Sequence, residues 1–163
     1  MAQYTDDYQA ALMLHNGSER GIEHGLDLFK RTYANLADTE TSNKVSQLYA
    51  NQLYFNDTIK TIRSREELTD YMEKTSNKVQ TSYVEVDQVI RDGADVFLRW
   101  TMHFESSAYG INIDSETIGM THLRFNEDGQ VVLHQDFWDS AAGIYSHLPI
   151  VGFFVRRAQA MLD

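Results

Sequence analysis

His134 and Asp136 stand two residues apart in the stretch VVLHQDFW, and an imidazole beside a carboxylate is a pairing suited to general acid/base chemistry. In a strand, side chains point to the same face every second residue. Val132, His134, Asp136 and Trp138 would then form one row. The Cα atoms of His134 and Asp136 would lie roughly 6.5–7 Å apart, within reach of a direct or water-bridged contact. The opposite row, Val131, Leu133 and Phe137, is the alternative buried face and would leave the pair in solvent. Residue chemistry alone leaves both rows open.

The row closes a longer segment, Thr117 to Ser140, that reads as a hairpin turning at Asn126-Glu127-Asp128-Gly129. Upstream, Val96, Leu98, Trp100, Met102 and Phe104 alternate with Phe97, Arg99, Thr101, His103 and Glu105. That alternation predicts a half-buried strand with His103 on the wetter side. Ser82 to Ile90 predicts its neighbour across Arg91-Asp92-Gly93, and Ser106 to Ser115 predicts a connection widened around Tyr109-Gly110. Ahead of the strands, Ile22, Leu26, Phe29, Tyr33 and Leu36 recur at helical spacing. The polar run Asp38 to Ser42 separates this helix from a second, capped by Ser42, with Val45, Leu48 and Tyr49. Leu53 to Asp57 is a short strand candidate. Ser64-Arg65-Glu66-Glu67 then opens a helix with a capping box, its buried side being Leu68, Tyr71 and Met72. Asp6 to Leu14 forms at most a short helix, broken at Asn16-Gly17-Ser18, and Pro149 precedes a short apolar helix through Leu162. Helices first and antiparallel strands afterwards predict an α+β fold. Residues 1–20 read as an N-terminal extension and 21–163 as a single domain.

Charge narrows the partners. With 24 acidic against 14 basic residues the net charge is −10, which disfavours nucleic acid and anionic membrane. No cysteine is present, so disulfide and thiolate chemistry are excluded. The start MAQYTDDYQA lacks a signal-like pattern and no apolar run approaches the roughly 20 residues of a membrane span, so a cytoplasmic protein is expected. By parity His103 and His122 fall on the outer face, away from His134; both are read as unliganded surface histidines, and no metal is expected. No G-x-S-x-G, phosphate loop or dinucleotide fingerprint occurs, so no cofactor is expected either.

Taken together, the helix pair, LYANQLYFND, the short helix and the strands ending in LRFNEDGQVV resemble the NTF2-like superfamily. The ending HQDFWDSAAGIYSHLPIVG is most similar to SnoaL-like proteins. The resemblance spans roughly Gly21 to Asp139. It implies a cone: a curved antiparallel sheet wrapped around the N-terminal helices, enclosing an apolar pocket, with a C-terminal capping helix. LYANQLYFND is similar to the LYADDATVED motif of ketosteroid isomerases, which places Asp57 at the general-base position. Tyr33 falls where those enzymes carry an oxyanion-hole tyrosine, and Thr121 where they carry a protonated aspartic acid. The resemblance also puts His134, Asp136 and Trp138 in the pocket, with Trp100, Met102, Phe104, Thr121, Leu123 and Phe55 as ligand-binding wall. SnoaL-type cyclases are similar in using Asp and His for acid/base work. The implied function is a cofactor-independent isomerase, cyclase or dehydratase acting on a small hydrophobic molecule. A ligand-binding module and a protein-interaction scaffold are the alternatives, and a homodimer through the outer sheet face is the expected assembly.

Overall fold

The computed structural model describes residues 3–107, 112–144 and 149–161. The expected loop centre Tyr109-Gly110 lies outside them. Six strands form one open sheet in the order β2-β1-β6-β5-β4-β3: β1 Tyr49–Asn56, β2 Thr61–Ser64, β3 Thr81–Asp92, β4 Asp95–Ser106, β5 Ile113–Phe125 and β6 Val131–Trp138. All neighbours are antiparallel except β1 and β6, which run parallel. The curved sheet and the helices preceding it make an α+β fold of the NTF2-like cone type. Strand β2 was not foreseen, and β1 starts four residues before the predicted Leu53.

Three helices line the inner face: α2 Ile22–Tyr33, α3 Thr41–Leu48 and α4 Arg65–Ser76. The stripe Ile22, Leu26, Phe29 and Tyr33 is buried against Leu98, Trp100, Leu123 and Phe125 of the strands, in one core that Leu68 and Met72 complete. Each such side chain taken from water stabilises by about 1.5–3 kcal/mol. The Ser64 hydroxyl accepts from the Glu67 N–H and starts α4 as its sequence predicts. Ser42, by contrast, lies inside α3. The turn before it is closed by Thr41, whose hydroxyl donates to the Asp38 carbonyl at 2.7 Å.

Helix α1, Gln3–Leu14, changes the picture on the other face. It is longer than Asp6 to Leu14 and packs on the outside of the sheet, where Ala11 joins Tyr54 and Leu133 in a second apolar cluster. Strand β6 is therefore covered on both sides, and the choice between its two rows dissolves. Val132 also leaves the predicted row. The register shifts by one residue between the Phe125–Val131 and Arg124–Leu133 pairs, so Val131 enters the main core instead.

The same helix overturns the reading of His122. Its ring is buried, sandwiched beneath α1, with the Tyr8 hydroxyl 2.7 Å from Nδ1 and an Asp95 oxygen 2.6 Å from Nε2. Phe97 stacks on it at 4.4 Å between centroids. His103 stays half-exposed beside Glu116, as expected. At the far end, α5 Ser140–Gly143 follows β6, and α6 Pro149–Ala160 leaves Phe153 and Phe154 exposed. No helix among the described residues is long and apolar enough to cross a membrane.

Candidate active site

Strand pairing sets the site. In the β5–β6 ladder Thr121 pairs with Asp136, Leu123 with His134 and Gly119 with Trp138; across β4, Trp100 pairs with Gly119. These registers gather Trp100, Thr121, His134, Asp136 and Trp138 on the wall of an apolar cavity of about 140 Å³. Helix α2 contributes Phe29 and Tyr33, α4 contributes Tyr71, and Asp57 and Ile144 complete the rim of named groups. A dry apolar cavity of about 150 Å³ holds benzene, so a space of this volume suits one ring. Gly119 allows the crowding: a Cβ there would meet the Trp100 ring at 2.5 Å and Trp138 Cβ at 2.8 Å.

Two hydrogen-bond chains converge on Asp136. His134 Nε2 lies 2.8 Å from Asp136 Oδ1, and the Thr121 hydroxyl donates to the same oxygen at 2.5 Å. The Trp100 indole N–H donates to Thr121 Oγ1 at 2.8 Å. Behind His134, the Tyr49 hydroxyl lies 2.7 Å from Nδ1, and the Tyr33 hydroxyl 2.6 Å from that of Tyr49. His134 is only 1 % exposed and Asp136 about 15 %. With Asp136 as carboxylate, every proton in both chains points toward it. His134 donates from Nε2, Tyr49 donates to Nδ1 and Tyr33 donates to Tyr49. Both chains end on Oδ1, and Oδ2 takes part in neither. Burial pushes the phenols of Tyr33 and Tyr49 well up from their ordinary range, so both stay neutral donors.

Asp57 is a turn residue and a cavity residue at once. Its Oδ1 accepts from the N–H groups of Ile59 and Lys60 at 2.9 and 2.8 Å, while Tyr71 donates to Oδ2 at 2.6 Å. Trp138 ties the turn to β6 by donating to the Asp57 carbonyl at 2.8 Å. The turn holds Thr58 at φ +73°, a conformation that costs a β-branched residue of order 1–3 kcal/mol. Among the described residues, no group of three or more His, Asp or Glu side chains could hold a metal ion.

This geometry sits on a recognisable frame. The SnoaL-like domain family matches residues 29–134. The chain belongs to that family. No curated protein matches the sequence. Among solved structures, a hypothetical protein with a ketosteroid isomerase-like fold from Catenulispora acidiphila DSM 44928, in complex with trimethylamine, is 15 % identical with a TM-score of 0.63. The match covers 76 % of this chain and 91 % of that one. An NTF2-like protein of unknown function from Exiguobacterium sp. 255-15 is 14 % identical with a TM-score of 0.60, covering 71 % and 98 %. An LEH-like epoxide hydrolase from M. tuberculosis is 15 % identical with a TM-score of 0.57, covering 90 % and 98 %. At such identities the likeness shows the fold alone.

Within this SnoaL-like cone, the sequence-derived candidates His134, Asp136, Asp57, Tyr33, Trp138, Trp100, Met102, Phe104, Thr121 and Phe55 all border the one cavity. Leu123 does not: it is fully buried in the core and outside the cavity wall. Tyr33 borders the cavity, and its hydroxyl is bonded to that of Tyr49 at 2.6 Å. Tyr49 was missed. It closed a helical stripe in the sequence, and nothing in a one-dimensional pattern links it to His134, 85 residues away.

Proposed function

We propose that this SnoaL-like protein is a cofactor-independent acid/base enzyme that moves a proton next to a carbonyl group on a small, ring-sized apolar molecule. The single observation that carries the reading is Asp136, a mostly buried carboxylate on the wall of an apolar cavity, with one oxygen held by His134 and Thr121 and the other outside both hydrogen-bond chains. Asp136 takes the proton from the carbon, becomes the neutral acid and returns the proton at another position. Isomerisation, aldol-type cyclisation and dehydration share that first step. His134 orients the base, Asp57 fixes the wall with Tyr71 and Trp138, and the indoles of Trp100 and Trp138 flank the ligand. Cyclohexanone in D2O provides the test, read by NMR. Protein-dependent exchange of its α-hydrogens that Asp136→Asn removes supports the reading; exchange that survives in the variant ends it.

A binding module is the second reading. The cavity carries two carboxylates and aromatic walls, and among its described lining residues there is no Lys or Arg. Such a site suits a small organic cation held by charge and by cation–π contact, and the Catenulispora relative is in complex with trimethylamine. Trimethylammonium binding with no ketone exchange would select this reading. A homodimer in the cytoplasm is our proposal for the assembly and its location. Ile118 and Met120 are exposed on the outer sheet face, with the half-exposed Phe137 beside Tyr8 of α1, and Ile118→Glu should turn a dimer into a monomer in light scattering.

A further inference from the structure

Tyr49 does not line the cavity and reaches Asp136 only through the imidazole. It is fully buried at the start of β1, its hydroxyl between those of Tyr33 at 2.6 Å and His134 Nδ1 at 2.7 Å. The His134 ring has no room to turn. Phe55 sits 4.7 Å and Phe29 5.9 Å from it between centroids, and Tyr49 itself lies nearly parallel at 6.0 Å. Tyr33 is in turn stacked on Phe29 at 4.4 Å. Both ring nitrogens are thus committed, and the carboxylate on Nε2 and the hydroxyl on Nδ1 together decide which of them carries the proton.

We propose that Tyr49 is a positioning residue: by donating to Nδ1 it reinforces the Nε2–H tautomer that the Asp136 carboxylate draws, holds the imidazole on Asp136 Oδ1 and leaves Oδ2 as the reactive oxygen. Tyr33 donates to Tyr49 and keeps the Tyr49 proton aimed at the imidazole. The groups facing the ring are Tyr49, Tyr33 and Asp136 together with the two phenylalanines. Burial keeps both phenols neutral, so each retains a proton to donate. A carboxylic acid at Asp136 donating to Nε2 would run the whole chain backwards, with the imidazole proton on Nδ1.

The significance of the device rests on Asp136 acting as the base; the device itself is measured without turnover. Long-range 1H–15N correlation on full-length protein labelled in histidine assigns the His134 tautomer directly. We expect Nε2–H in the wild type, and in Tyr49→Phe a displaced Nδ1 resonance as that nitrogen loses its donor. Tyr33→Phe, which leaves the inner bond in place, should give a smaller shift in the same direction. In the cyclohexanone assay Tyr49→Phe should slow exchange by roughly tenfold or more with little change in ketone affinity. An Nδ1–H tautomer in the wild type overturns the proposal, as does an unchanged His134 spectrum in a folded Tyr49→Phe. The wild-type spectrum needs no variant, so poor folding of Tyr49→Phe does not shield it. If Nε2–H is found and no exchange occurs, the acid/base reading fails while the positioning role stands.

Discussion

At Asp136 the two carboxylate oxygens have different surroundings, and that asymmetry is what distinguishes a base from a structural ion pair. Asp136→Asn keeps the shape but removes the proton acceptor, and positioned bases contribute about 10²–10⁴-fold in rate. Loss of that size in catalysed ketone exchange is the expected result. Thr121 is the second informative position. Its place in the sequence suggested a weak oxyanion donor, yet its proton goes to Asp136 and its lone pair receives the Trp100 indole. Thr121→Val leaves the buried Trp100 N–H without a partner, which costs about 1–3 kcal/mol. Urea unfolding should show that loss, and exchange should fall as well because Asp136 loses one of its two anchors. His134 and Asp136 were legible because spacing of two on a strand is a local code. Tyr49 and the partners of Thr121 were not, since both depend on contacts between strands far apart in the chain.

Among the elements, the strands with one dry face were read well and β6 was not. Val96, Leu98 and Trp100 of β4 are buried in alternation as their pattern demands. In β6, Leu133, His134 and Gln135 are consecutive and all buried, because α2 and α4 cover one side of the sheet and α1 the other. A period of two cannot show through such a sandwich. Nor could it foresee the shift that exchanges Val132 for Val131. Gly119 gives this scale its prediction. In Gly119→Ala the added methyl group must displace the Trp100 indole, 2.5 Å away, since Trp138 Cβ at 2.8 Å is tied directly to its strand. Overpacking of this kind costs typically 1–3 kcal/mol, and each kcal/mol lowers Tm by about 2–4 °C in a domain of this size. The variant should melt several degrees lower with shifted tryptophan emission, and a larger ketone should lose binding before a smaller one. An unchanged melting point would mean that the two indoles are not packed as described.

For the whole molecule, the decisive feature is that α1, read as an extension, is fastened to the outer sheet face by buried polar groups. The Arg124 guanidinium donates to the Leu12 and His15 carbonyls at 2.8 and 3.1 Å and so caps the end of the helix, while also gripping Asp95. Asp95 in turn holds His122, and His122 meets Tyr8. Burial holds the His122 imidazole below its ordinary range, more strongly than the Asp95 bond raises it. For Asp95, burial pushes upward, but the bonds from Arg124 and His122 prevail and hold the carboxyl low. The signs then agree. An unfolded chain takes up a proton at His122 that the folded chain refuses, so this contribution is present above the ordinary histidine range and is lost as pH falls below it. The share from Asp95 is lost only in stronger acid, beneath the ordinary carboxylate range. His15, also lowered by burial, acts in the same direction as His122, and the raised phenol of Tyr8 is silent there. Urea unfolding at pH 7.5 and 5.5 should therefore find the protein less stable at the lower pH. The difference should shrink in His122→Gln and shrink again when His15→Gln is added. Equal stability at the two pH values would show that His122 is already free to take its proton in the folded state, and that α1 is not held down over it.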